Sequence, residues 1–344
     1  MMFTTANNLD YLATRLHARR SRMAEGERLD ALCQLRALPE LCRAARLDGE
    51  CHSVPEFQRR LVQALAGELA GCLRHVGGAG GEMFAWVLAR FRIENVKTLL
   101  RGFVNQTAPE VLREHLVTLP EGFALDARAL AAAKSLEDFV ALLPPGAPRQ
   151  RLREAVAARH DPPQPFFLEA ALDCGYFQEL LAKIRHLSGE DQAVVRGLAL
   201  HEANFFQFML AARGRFHFEA PADALLALRL PGIFEDWFKT LLTAPDLPAA
   251  AKLSIGVVFD ELPAEPGFDE AALEALAWKR FLRLANSAFR RDAMGLGAVI
   301  GYAGLRRLET ANFITISEGI RLGLTAGAIR ARLVPRPGLE AAHV

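Results

Sequence analysis

Tyrosine is scarce in this chain, with three in 344 residues, and threonine is thin. The one β-branched cluster of note, Val257-Val258-Phe259, is too short to found a sheet. That leaves little material for β-structure, whereas Ala, Leu, Arg and Glu, the helix formers, dominate. Charge of one sign is missing as well. Forty-one basic residues against forty acidic give a formal net charge of +1, which excludes the net basic footprint of a dedicated nucleic-acid binder. No long apolar run exists: Met294 to Leu305, twelve residues diluted with glycine, is the longest without a mid-run charge, and a bilayer-spanning helix needs about 20. The start, Met1 to Asn8, lacks a basic stretch followed by an apolar core, so no signal peptide is expected. Five cysteines, an odd number in a long chain, do not make a disulfide framework. A reducing cytoplasm is the expected compartment.

Catalytic and ligand motifs are missing too. His201-Glu202 opens like a zinc-protease helix, but Phe205 stands where the second histidine belongs. Gly77-Gly78-Ala79-Gly80-Gly81 has no following Gly-Lys-Ser/Thr and reads as a helix–helix loop. Gly295, Gly297 and Gly301 miss the dinucleotide fingerprint and read as close-packing positions on a helix. Cys72 and His75 form one short-spaced pair, where a zinc site needs four converging ligands. We therefore expect no metal, no cofactor and no catalytic residue.

What the sequence does have is apolar residues at helical spacing along nearly its whole length. In Met83–Arg101 they fall at Phe84, Val87, Leu88, Phe91, Val96, Leu99 and Leu100. Asp10–Arg22, Glu27–Arg46, Glu56–Val76, Asp126–Leu142, Phe167–Leu187, Gln192–Arg213, Asp223–Leu242, Asp269–Arg290 and Met294–Leu322 repeat the pattern. Leu143–Pro148, Asp161–Pro165 and Glu261–Gly267 are Gly- or Pro-rich breaks, and Ser53-Val54-Pro55 reads as a helix start. The fold expected is all-α.

An internal repeat divides it. Asn95, Asn204 and Asn312 each sit on an apolar helical stripe, 109 and 108 residues apart, with small residues Gly102, Ala211 and Gly319 seven positions on. The expected units are 1–118, 119–217 and 218–344. A buried amide must be hydrogen-bonded, so each Asn should bond backbone or side-chain groups of a neighbouring helix and fix helix register. On the first helix, Tyr11, Arg15, Arg19 and Arg22 share one face at i, i+4, i+8 and i+11. They are the candidate contact residues, because Arg and Tyr concentrate binding energy at interfaces.

Tyr11-x3-Arg15-x6-Arg22, the block Glu94-Asn95-Val96-Lys97-Thr98-Leu99-Leu100-Arg101, the block Glu169-Ala170-Ala171-Leu172-Asp173 with Tyr176-Phe177, and Tyr302 with Leu308-Glu309-x2-Asn312 resemble the C-type stalk subunits of V/A-type ATPases (ATP synthases), called d-type in eukaryotes. The likeness runs from about residue 10 to 333. In the third block Phe313-Ile314 replaces the family's apolar–Arg pair. The resemblance implies three similar helical bundles forming a funnel about a pseudo-threefold axis. It implies a non-catalytic central-stalk socket between the rotating shaft and the membrane rotor ring, peripheral at the cytoplasmic face of the membrane through those partners. The residues by themselves also allow a helical scaffold unrelated to rotary ATPases, or an all-α enzyme with a central cavity.

Overall fold

The computed structural model describes residues 8–158, 164–232, 234–263 and 268–334. The N-terminal stretch 1–7 and most of the breaks at 161–165 and 261–267 lie outside the described residues. Among them the chain forms seventeen helices and no strand, as expected. Around Val257–Phe259 there is a single bridge between Ile255 and Phe259.

Six long helices carry the architecture: α4 (Val54–Leu73), α5 (Gly78–Val104), α10 (Pro165–Arg185), α11 (Gly189–Phe216), α15 (Glu270–Arg291) and α16 (Leu296–Arg321). They form three hairpins with short connections, and each packs on the next in chain order. The last, α16, packs back on α4, so the six close a ring. The third hairpin is the tightest. A Cβ at Gly297 would meet the Ala288 carbonyl oxygen at 2.7 Å, and one at Gly301 would meet the Ala285 oxygen and Phe289 nitrogen at 2.6 Å. The glycines of Met294–Leu322 therefore serve helix contact, as the sequence suggested.

Short helices fill the intervals, and here the sequence reading needs correction. The expected helix Glu27–Arg46 is two, α2 (Glu27–Leu32) and α3 (Leu38–Ala44), because Pro39 needs a helix start in front of it. Asp126–Leu142 splits into α7 (Ala127–Ala131) and α8 (Leu136–Leu142), whose Ser135 Oγ accepts the Asp138 N–H as a new N-cap. Asp223–Leu242 splits into α12 (Ala222–Ala227) and α13 (Glu235–Thr243) around Pro231-Gly232. The segments α6 (Pro109–His115), α9 (Ala147–Ala157), α14 (Leu247–Lys252) and α17 (Ala326–Arg330) were not foreseen. The first helix, α1 (Leu9–Arg20), stops short of Arg22. One apolar cluster joins Ala24, Leu29, Cys33, Leu41, Phe57 and Leu61 to Phe313, Ile316, Ile329 and Leu333, so the two ends of the chain share a core.

The contact that Asn95 makes recurs at Asn312 and, between them, at Gln207 in place of the expected Asn204. Asn95 donates through Nδ2 to the Val117 carbonyl (2.8 Å) and accepts the Val117 N–H on Oδ1 (3.0 Å). Asn312 does the same to Val334, at 2.7 Å each way. Both amides clamp the backbone 22 residues downstream, in an irregular stretch past the next short helix and not in the neighbouring helix expected. In the second copy the clamp is Gln207, which accepts the Leu230 N–H (2.9 Å) and donates to the Leu228 carbonyl (3.5 Å). Asn204 has no such role, and its buried Oδ1 lacks a partner. Seven residues after each clamp stands a glycine, Gly102, Gly214 or Gly319, whose missing Cβ leaves room for Leu112, Leu225 or Ile329 from the following short helix. Each of these three clamp-bearing helices, α5, α11 and α16, is then followed by a left-handed residue: Gln106, Glu219 or Gly323. The second turn is one residue longer, with Ala220 N–H reaching Gly214 O where Thr107 reaches Gly102 O and Leu324 reaches Gly319 O. The longer side chain of Gln accompanies that insertion. Cutting Asn95, Gln207 or Asn312 back to Ala should cost about 1–3 kcal/mol each, since two backbone groups lose their partner. In a urea titration Asn204→Ala should change little; a cost as large as that of Gln207→Ala would refute the shifted register.

Candidate functional site

Two regions concern function: the face of α1 and the centre of the ring. On α1, Leu12, Ala13 and Leu16 are buried and turn the opposite face outward. Tyr11 is 52% exposed. The Arg15 guanidinium lies over its ring at 5.4 Å, and the His75 ring sits 5.5 Å from it. Arg19 belongs to a different arrangement. It pairs with Glu68 (3.2 Å), a carboxylate that also accepts the Tyr302 hydroxyl and both Nε and Nη2 of Arg306. Arg306 pairs in turn with Glu309, which takes the Ala24 N–H. Arg19 thus ties α1 to α4 and α16. Arg22 is exposed but lies in the turn beyond the helix, off the stripe. Of the four expected contact residues, the structure keeps Tyr11 and Arg15 side by side on an open face.

At the ring centre, the position five residues before each clamp is Arg90 on α5, Glu202 on α11 and Arg307 on α16. These three meet. Arg307 pairs with Glu202 at 2.9 Å and Arg90 approaches the same carboxylate at 3.7 Å. Burial works against the Glu202 charge, yet Arg307 and Arg90 outweigh it and hold its carboxyl below the ordinary range. Burial likewise opposes the Arg90 charge, and Glu202, with Tyr176, Glu94 and Asp173 behind it, together more than restore it. Beside them Lys97 pairs with Asp173 (2.6 Å) and Glu94 (3.2 Å); burial leaves Asp173 raised, and its neighbour Tyr176 is pushed up to about 12.

The layer separates two cavities. A small one, about 20 Å³, is lined by Met83 and Val87 of α5, Val195 and Leu198 of α11, and Ile300 and Ala303 of α16. All of these precede the charged residue on their own helix, so the three helices cross the layer in the same direction. On the other side a cavity of about 170 Å³ opens between Phe205, Met209, Trp278 and Phe281, with His201 in its wall.

His201 Nε2 contacts the Ala277 carbonyl at 2.9 Å while Nδ1 has no partner. Burial lowers its pKa from 6.5 to about 4. The unfolded chain then takes up a proton near pH 6.5 that the folded chain refuses, so stability is full at neutral pH and falls as the pH drops toward 4. The loss reaches roughly 3 kcal/mol. His201→Gln should flatten that limb of the curve relative to wild type in urea unfolding at pH 7 and pH 4.5; parallel curves would refute the assignment.

No group of three His, Cys, Asp or Glu side chains able to hold a metal occurs among the described residues. The cysteines are free and buried, and burial raises Cys72 and Cys174 to about 11. No described helix is long and apolar enough to cross a membrane. Sequence reasoning missed the central layer: it weighed His201-Glu202 only as a failed zinc motif. The usable signal was the clamp register, since 90, 202 and 307 align only when Gln207 replaces Asn204.

A family model described as ATP synthase (C/AC39) subunit matches residues 12–332. The C-type subunit of the V-type ATP synthase of Deinococcus radiodurans is 27% identical over 339 residues, covering 94% of this chain and 90% of its own length. An unrelated scaffold and an all-α enzyme are thereby set aside: the chain belongs to the ATP synthase (C/AC39) subunit family, whose members are non-catalytic subunits of rotary ATPases.

Proposed function

We propose that this chain is the central-stalk subunit that couples the rotating shaft of a V/A-type rotary ATPase to its membrane rotor ring. The observation that carries the reading is the closed ring of six long helices, pinned at its centre by one carboxylate shared between two arginines. A body that passes torque must resist shear between its parts. Ring closure supplies that resistance, because no helix pair can slide without moving its neighbours. Three residues at equivalent repeat positions meet each other only near a common axis, which supports a pseudo-threefold funnel built from units near 1–118, 119–217 and 218–344. The shared core of residues 24–61 and 313–333 supports a first segment that packs into the last unit. In this role the subunit sits at the cytoplasmic face, held at the membrane through its partners, and the open cavity beside the central layer faces one of them.

The test is affinity purification of a tagged copy from gently solubilised membranes. Shaft and rotor-ring subunits of the ATPase should accompany it in stoichiometric amounts. Recovery of intact ATPase without the tagged chain would refute the reading.

A further inference from the structure

The contact strip foreseen on α1 is cut short by Arg19, which Glu68 holds, and by Arg22, which leaves the helix. It continues across a different element. The Tyr11 ring contacts both Arg15 of the same helix and His75, which follows α4. Arg74, the residue capping α4, is exposed, and its Nε donates only to the Gly71 carbonyl of its own helix (3.0 Å). Arg15 and Arg74 have no carboxylate partner among the described residues. Some arginines elsewhere are matched, as Arg101 is with Glu169 and Arg330 with Asp30, and others, Arg43 and Arg128 among them, are not; Arg15 and Arg74 differ in lying together beside the Tyr11–His75 ring contact. Two unmatched guanidinia beside a half-exposed tyrosine form a two-helix patch that leaves its charge for something else.

We propose that Tyr11, Arg15, Arg74 and His75 form a docking surface for an acidic, helical segment of a protein partner. An acidic side chain fits because each guanidinium offers a free fork of donors, and because the tyrosine beside them supplies rigid apolar contact at little entropic cost. His75 reports the local field. Burial first, then Arg74 and Arg15, hold it below its ordinary value, so the patch repels a third cation and favours an anion. The charges that act on His75 and on Cys72 beside it are Arg15 and Arg19 of α1 and Glu68 and Arg74 of α4 and its cap. Of the acids nearby, Glu68 is spent on Arg19, Arg306 and Tyr302, and Asp10 lies exposed in the first turn of α1 next to Tyr11. A bilayer surface is the poorer fit: recognition of anionic lipid takes clusters of roughly 4–8 basic residues, and two free arginines with one histidine fall short.

The inference rests on the reading of the α1 face as a contact surface, and its test uses no ATPase component. The probe is a labelled helical peptide with glutamates at i and i+4, titrated with the full chain and followed by anisotropy. Wild type should bind, and Arg15→Gln with Arg74→Gln should weaken binding about tenfold or more. Lys239→Gln on α13 should leave it unchanged. Binding should weaken as salt passes about 0.1 M, where the screening length is about 10 Å. In NMR the His75 pKa should rise when the peptide binds. Equal affinity of double variant and wild type, or no binding by wild type, overturns the proposal. Binding of phosphatidylserine vesicles, lost in the double variant while the peptide is ignored, overturns it too. Failed co-purification with ATPase subunits would count against the coupling role and leave this result standing.

Discussion

Replacing Glu202 with Ala should lower the unfolding free energy by about 3–5 kcal/mol, the range seen when one partner of a buried ion arrangement is removed. The reason is arithmetic of charge. Among the described residues Glu202 is the one carboxylate paired with both Arg90 and Arg307, and its side chain is only 16% exposed. Without it two guanidinia face each other at the ring centre with little water to screen them. Glu202→Gln keeps the shape and loses the charge, and should cost less. A triple variant with Met, Leu and Met at 90, 202 and 307 should recover much of the loss, because well-packed apolar replacements of buried ion arrangements are often neutral or stabilising. Since the Glu202 carboxyl is held below its usual range, its contribution is complete at neutral pH and disappears as acid protonates it. Urea unfolding of the three variants checks this. A Glu202→Ala midpoint indistinguishable from wild type would mean that the three charges merely lie near one another.

The second large effect is expected at Gly301. Leu there must displace the α15 backbone at Ala285 and Phe289. Backbone cannot rotate aside as a side-chain tip can, so the hairpin α15–α16 must open, at a cost of about 3 kcal/mol or more. Gly197 on α11 gives the opposite sign. Nothing lies within 4 Å of its would-be Cβ, and Gly197→Ala should stabilise by about 0.5–1 kcal/mol through lost unfolded-chain freedom. Thermal unfolding of both variants reads the contrast. Tolerance of Leu at 301 would contradict the close approach of the two helices.

The all-α class and the long helices were legible because 3.6-residue periodicity persists over twenty or more positions in each. Short helices were not, because six or seven residues contain barely two turns of signal, and caps such as Ser135 and Pro39 decide their limits. The repeat was legible in its outer copies, where Asn95 and Asn312 share flanks and a glycine seven residues on. Its middle copy was misread for a specific reason: Gln207 substitutes for Asn, one residue is inserted in the following turn, and an unrelated Asn204 happens to restore equal spacing. That three-residue error hid Arg90, Glu202 and Arg307, which have no motif in sequence and become a group only through ring closure. On α1 the structure leaves Tyr11 and Arg15 of the expected stripe next to each other. The destination of Arg19 depended on Glu68, which is 49 residues away in sequence.

The coupling role is tested most directly by ion pumping. Membranes from cells lacking this chain, compared with membranes carrying it, should be supplied with ATP and followed with a pH-sensitive or sodium-sensitive dye. The soluble motor should still hydrolyse ATP while pumping is abolished, and adding the purified chain back should restore it. Pumping at the parental rate without the chain would mean that the subunit does not couple shaft to ring.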